Sequence, residues 1–228
     1  MRVVSLVPSV TETLLAWGIE PVAVTRFCEQ PHLRTVGGTK NPDVAAIVAL
    51  APDVVVVDRE ENRAEDAAAL EAAGLAVHVL HVRALADVEP ALAGLAACMG
   101  VPAPPGVASS APVTPAGRAF VPIWRRPWMS LNGRTYGSTL LEAAGIGNVL
   151  GGHVDTYPTV ELDEVAALAP DVVLAPSEPY AFTERHRAEL ETVGPVTFVD
   201  GKDLFWWGVR TPAALTRLTR VVQGLTKP

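Results

Sequence analysis

Apolar positions along this chain follow two rhythms, short β-branched runs and longer stretches in which apolar residues return every three or four positions. The first rhythm predicts strands and the second amphipathic helices. Residues 2–6 form the first β-branched run, and further runs lie at 22–25, 54–57, 76–80, 119–123, 148–150 and 196–199, with another opening after Pro170-Asp171. The run at 54–57 is apolar throughout, as a parallel strand covered on both faces requires. Ser9-Val10-Thr11-Glu12 has the spacing of a capping box and predicts a helix that starts at Ser9 and ends at Gly18. Asn41 followed by Pro42 predicts a second helix start, with Asn41 as N-cap. Helical periodicity then recurs at 63–73, closed by Gly74, and at 85–98, at 138–144, after Thr183, and from Thr211-Pro212 to about Gln223. Strands and helices in strict alternation predict parallel sheets joined by right-handed crossovers.

One heptapeptide occurs twice. Ala-Leu-Ala-Pro-Asp-Val-Val stands at 49–55 and again at 167–173, each time at the end of a helical stretch and leading into a Val-rich run. Around it, 44–57 resembles 160–174, and 13–19 resembles 139–146. The chain therefore reads as two similar α/β lobes, residues 1–99 and 118–228, with the space between them as the expected place for a ligand. The connection at 100–117 carries five prolines in eighteen residues and reads as an irregular or extended linker.

Composition narrows the function. Of the 228 residues 49% are hydrophobic, enough for a substantial core, and no apolar run approaches the ~20 residues of a membrane span. A net charge of −7 argues against a nucleic-acid partner, which would need a dense basic face. The first strand follows Met1 directly, so the expected location is the cytoplasm, the alternative being an exported protein whose leader has been removed. Cys28 and Cys98 are expected to be free thiols.

The block Arg2-Val3-Val4-Ser5-Leu6-Val7-Pro8-Ser9-Val10-Thr11-Glu12, the segment Val36-Gly37-Gly38-Thr39-Lys40-Asn41-Pro42-Asp43 and the first heptad resemble the cobalamin- and siderophore-type substrate-binding proteins of ABC importers, the helical-backbone metal receptors. The resemblance continues through 132–148 and 204–225. It is strongest for a leaderless subset with Asp58-Arg59-Glu60-Glu61-Asn62-Arg63, Trp124-Arg125-Arg126-Pro127-Trp128-Met129 and Pro176-Ser177-Glu178-Pro179-Tyr180. It implies a class III periplasmic-binding-protein-like α/β fold, two lobes each built on a parallel β-sheet flanked by helices. Here the long inter-lobe helix of such receptors is replaced by a shortened, Pro-rich connection. The implied function is a receptor for a metal chelate or corrinoid (cobalamin-like) ligand. A bound corrinoid, haem or ferric chelate would be its ligand, with no cofactor required. An ABC importer permease would be a partner only if the protein is exported.

Ligands of open parallel sheets bind beyond the carboxyl ends of the strands. The polar and aromatic residues there, Glu60, Glu61, Asn62, Trp124, Arg125, Trp128, Tyr136, Glu178, Tyr180, Trp206, Trp207 and Arg210, are the candidate ligand-binding set. Indoles offer flat apolar area, while guanidinium and carboxylate groups select hydrogen-bonding edges. Of Trp206 and Trp207, one is expected in the core and one at the site. Arg125 has a second reading, as a latch paired with a carboxylate. Glu60-Glu61 has one too, as a solvated helix N-terminus. His153, near Asp155 and Tyr157, is a candidate axial metal ligand with a capped loop as the simpler reading. No Gly-x-Ser-x-Gly elbow, Walker A loop or His-Glu-x-x-His run occurs, so catalysis is not the expected function. A cytoplasmic enzyme or ligand sensor that reuses the receptor scaffold is the alternative.

Overall fold

The structure, a computed structural model, describes residues 1–102 and 114–225, so most of the expected linker lies outside the described residues. The chain forms two compact units. One holds Met1–Val82, the chain from Ala86 onward and Trp207–Val209; the other holds Arg83–Leu85, the second half of the chain to Trp206, and the chain from Arg210.

In the first unit β1 (Val3–Ser5), α1 (Pro8–Ala16), β2 (Ala23–Val24), β3 (Gly37–Gly38), β4 (Asn41–Pro42), α2 (Val44–Ala49), β5 (Val54–Asp58), α3 (Ala64–Ala72), β6 (Val77–Leu80) and α4 (Leu85–Met99) follow in order. The sheet runs β2-β1-β5-β6, with every neighbouring pair parallel. All five residues of β5 are buried. Val4, Leu6, Ile47, Val55, Val57 and Leu70 form the core beside it, each side chain contributing roughly 1.5–3 kcal/mol on full burial.

Two helix starts differ from the sequence expectation. Pro8, not Ser9, opens α1, because a proline at the first helical position gives up an amide that has no partner there anyway. Val7 becomes the N-cap without a side-chain bond, and Ser9 is turned into the interior with its hydroxyl unpartnered. Asn41 is not a cap either. Asn41–Pro42 pairs with Gly37–Gly38 as a two-stranded hairpin, and Asp43 caps α2 by accepting from the Ala46 amide at 2.9 Å. Gly37 is required in that hairpin. It sits at φ 90°, and a Cβ there would lie 2.6 Å from the Asn41 carbonyl.

The second unit comprises β7 (Gly117–Phe120), α5 (Tyr136–Ala143), β8 (Ile146–Asn148), α6 (Leu162–Ala167), β9 (Val172–Pro176), a 3-10 turn (Glu184–His186), α7 (Arg187–Leu190), β10 (Val196–Val199), α8 (Gly201–Phe205) and α9 (Thr211–Leu225). Its sheet runs β10-β9-β7-β8, again wholly parallel. Written from the other edge this is β8-β7-β9-β10, the same order as β2-β1-β5-β6. The fold is thus α/β, with a parallel sheet flanked by helices in each unit. Phe120, Val165, Val173, Ala175, Phe182 and Leu190 belong to the core of this unit.

The repeated heptad occupies the same place in both. Val54 and Val55 pair with Val3 and Val4, and Val172 and Val173 pair with Ala119 and Phe120. Ahead of each strand, Ala51 (φ 43°) and Ala169 (φ 51°) turn the chain through the left-handed region. Each heptad aspartate then ties the strand to its neighbour. Asp53 Oδ2 accepts from the Arg2 amide at 2.6 Å, and Asp171 Oδ2 from the Arg118 amide at 2.7 Å. The two arginine side chains return to the helix end, donating to Leu50 O at 2.9 Å and Leu168 O at 3.0 Å. Within each copy, then, these bonds join the helix end to strand pairing.

Candidate functional site

In the first unit the loop after β5 is built around two buried polar side chains. Asp58, 1% exposed, accepts from the Glu60 amide at 2.8 Å and the Val82 amide at 3.4 Å. Burial pushes its carboxyl up to about 6, against the lowering effect of those two amides. Asn62 accepts from the Asp58 amide at 2.8 Å and donates to Leu6 O at 3.2 Å and Thr39 O at 2.9 Å. Both amide hydrogens are therefore committed, and Asn62 is a strut joining the ends of β1 and β5 to the hairpin loop. Glu60 remains half-buried, with Oε1 3.4 Å from His81 Nε2 and its carbonyl accepting from Lys40 at 3.0 Å. Glu61 is half-buried beside it.

Beyond β2 the loop carries Phe27, 48% exposed under the Arg26 guanidinium, 4.9 Å from the ring centroid. No periodicity marks this residue, and the sequence reading missed it. Next to it Cys28 is buried against Thr11 and Thr25, both hydroxyls 3.2 Å from Sγ. Burial pushes its thiol up, so the sulfur stays protonated and is no nucleophile.

The second unit gathers aromatic residues beyond β7 and β9. The hairpin at 124–129 is closed by pairing of Trp124 with Met129. Trp124 is the exposed tryptophan of the protein, at 44%, and meets Tyr180 edge-on at 5.6 Å. Trp128 stacks on Phe182, centroids 5.9 Å apart and planes 7° from parallel. Tyr180 and Phe182 in turn pack against His186, both at 5.5 Å. Arg125 Nε and Nη2 both reach Glu189 Oε2 at 2.9 Å, and the guanidinium lies 5.9 Å from the Trp128 ring centre. Its carboxylate partner is therefore Glu189 of α7, a residue absent from the candidate set. His186 and Phe182 were missed as well. The spacing Thr183-x-x-His186 was the available signal, since His186 and Thr183 cap the turn reciprocally.

Glu178 is half-buried, with Gly201 pressed against it. A Cβ on Gly201 would lie 2.6 Å from both the amide nitrogen and the carbonyl oxygen of Glu178, so only glycine lets α8 start there. Tyr136 is withdrawn into the second unit. It is 6% exposed, its hydroxyl lies 3.0 Å from Thr211 Oγ1, and burial raises its pKa to about 12. It thus joins α5 to α9. Trp207 is buried at 3%, whereas Trp206 is half-buried beneath two cations, Lys202 Nζ at 4.7 Å and Arg210 Cζ at 5.7 Å from its ring centre. Arg210 is itself held by Asp203 at 3.1 Å. Of these indoles Trp124 has the most accessible face.

Among the described residues no three His, Cys, Asp or Glu side chains are placed to hold a bare ion. His153 Nδ1 accepts from the Asp155 amide at 3.0 Å, so that nitrogen caps its loop.

No family model matches this sequence, and no curated protein matches it. Solved structures do. The periplasmic vitamin B12 binding protein BtuF of Vibrio cholerae superposes with a TM-score of 0.81 at 20% identity, over 100% of this chain and 98% of that one. The chain has the fold of a class III periplasmic binding protein. A periplasmic heme-binding protein from Pseudomonas aeruginosa gives 0.81 at 22% identity, over 100% of this chain and 94% of that one. An ABC transporter substrate-binding protein from Listeria monocytogenes gives 0.71 at 16% identity, over 96% and 97%. At these identities what is shared is the periplasmic-binding-protein fold.

Proposed function

We propose that this protein is a receptor that binds a corrinoid or another metal chelate, with the aromatic surface of the second unit as its principal contact. The carrying observation is Trp124, an indole 44% exposed on a fold otherwise shared with vitamin B12 and heme binders. A flat apolar face backed by Tyr180 stacks on a macrocycle, and about 25 cal/mol is gained per Å² of apolar surface covered. We include Glu178, Trp206 and Arg210, of the same unit, as groups that contact the ligand's polar edge. Tyr136, Asn62 and Trp207 serve the scaffold. An importer permease as partner belongs to the same proposal, on the strength of the likeness to an ABC transporter substrate-binding protein. Native mass spectrometry of the chain with added cyanocobalamin, hemin or a ferric siderophore tests the reading. A retained one-to-one mass with at least one of them is expected; the bare chain in every case contradicts it.

A further inference from the structure

Arg125 stands between the two tryptophans of the hairpin at 124–129 and ties that hairpin to α7. Its Nε and Nη2 both lie 2.9 Å from Glu189 Oε2. Glu189 is a firm anchor, because the next residue of α7, Leu190, is fully buried in the core that also holds Phe182. The base of the hairpin is closed by the Ile123 amide donating to Met129 O at 2.9 Å and the Met129 amide donating to Trp124 O at 3.1 Å. Its turn passes through Arg126 at φ 68°, a left-handed conformation that costs energy in any residue with a Cβ. Contacts beyond the turn offset that cost: Trp128 stacks on Phe182, and Arg125 grips Glu189. Trp124 is next to this second contact. Its indole is 44% exposed and meets Tyr180 edge-on, so its orientation follows that of the backbone carrying it.

We infer that Arg125 is a positioning residue: paired with Glu189, it fixes the hairpin so that the face of Trp124 is presented before a ligand arrives. This deepens the receptor reading and rests on it. An indole already ordered loses little freedom on binding, which is how the pair raises affinity without touching the ligand. A guanidinium already neutralised by a carboxylate exerts little pull on a ligand's own anionic group.

Arg125→Gln, Glu189→Gln and the double variant, each made in the full chain with and without Trp124→Phe, test it. The near-UV circular dichroism difference between each protein and its Trp124→Phe counterpart isolates the band of this indole. That band should shrink to the same extent in all three variants relative to wild type. An unchanged band in both single variants overturns the inference whether or not any ligand binds, since a pair that merely stabilises the fold lowers the melting temperature and leaves the band alone. Cyanocobalamin, hemin and a ferric siderophore are then titrated into the proteins that keep Trp124. Any compound that binds wild type is expected to bind each single variant about two- to fivefold more weakly, and the double variant no more weakly than either single. If Arg125→Gln weakens binding while Glu189→Gln leaves it unchanged or tightens it, the guanidinium touches the ligand and the inference is overturned. Equal affinities in wild type and both single variants overturn it too. If none of the three compounds binds wild type, the receptor reading fails and the ligand half of this inference falls with it. The Trp124 band still judges the hairpin half.

Discussion

The Asp171 carboxylate accepts from the Arg118 backbone amide at 2.7 Å, and Asp53 holds Arg2 in the same way in the other copy of the heptad. Because an ionised acceptor strengthens such a bond, each aspartate stabilises the pairing of its strand even at the surface. Asp53→Ala and Asp171→Ala are each expected to cost about 1 kcal/mol in urea unfolding, and the double variant the sum, since the two share no partner. A variant with an unchanged midpoint would show that the heptad is held together by packing alone.

Ala51 and Ala169 carry the left-handed turn ahead of those strands without the freedom of glycine. Replacing either by glycine should raise the melting temperature, by the equivalent of about 0.5–1 kcal/mol, because the relief of the Cβ clash exceeds the added entropy of the unfolded chain. A lower melting temperature in both variants would contradict this.

Asp58 makes stability depend on pH. Its carboxyl is raised from 3.8 to about 6 in the fold by burial. Between those values the native protein holds a proton that the unfolded chain has released. This contribution to stability is therefore complete below about 4 and is lost as pH rises through 6, by roughly 3 kcal/mol at most. Urea unfolding at pH 5 and pH 7.5 should show the wild type gaining more stability on acidification than Asp58→Asn; equal pH responses would exclude Asp58 as the source.

Asn62→Ala leaves Leu6 O, Thr39 O and the Asp58 amide without their partner, and a loss of about 2–3 kcal/mol is expected. Asn62→Asp keeps the acceptor and removes the two donors, so it should fall between Ala and wild type at acidic pH only. Retention of wild-type stability by Asn62→Ala would return this residue to the ligand-binding set.

That the two units carry matching strands was legible because the heptad opens a Val pair on the corresponding strand of each, and burial on both faces is written into runs such as Val54 to Val57. Local helix starts were less so. Ser9 and Asn41 both satisfy the cap pattern, but Pro8 and Asp43 stand next to them and compete for the same role, and hairpin pairing by Asn41 decides the second case. In the site, the position after a strand identified the loops but could not say which way a side chain turns. Asn62 and Tyr136 turn inward onto backbone and hydroxyl partners from segments far along the chain. His186 meets Tyr180, Phe182 and Thr183 within its own short segment, but Trp128 joins them only through Phe182, from a distant loop that no local spacing connects to it.

The receptor account turns on the indole of Trp124 meeting a ligand. Intrinsic tryptophan fluorescence, followed while cyanocobalamin, hemin and a ferric siderophore are added separately to wild type and Trp124→Phe, measures this directly after correction for absorbance. Saturable quenching by at least one compound is expected in the wild type, with weaker binding and a smaller amplitude in the variant. No quenching by any of the three in a protein with a cooperative melting transition, or identical curves for both proteins, would contradict it.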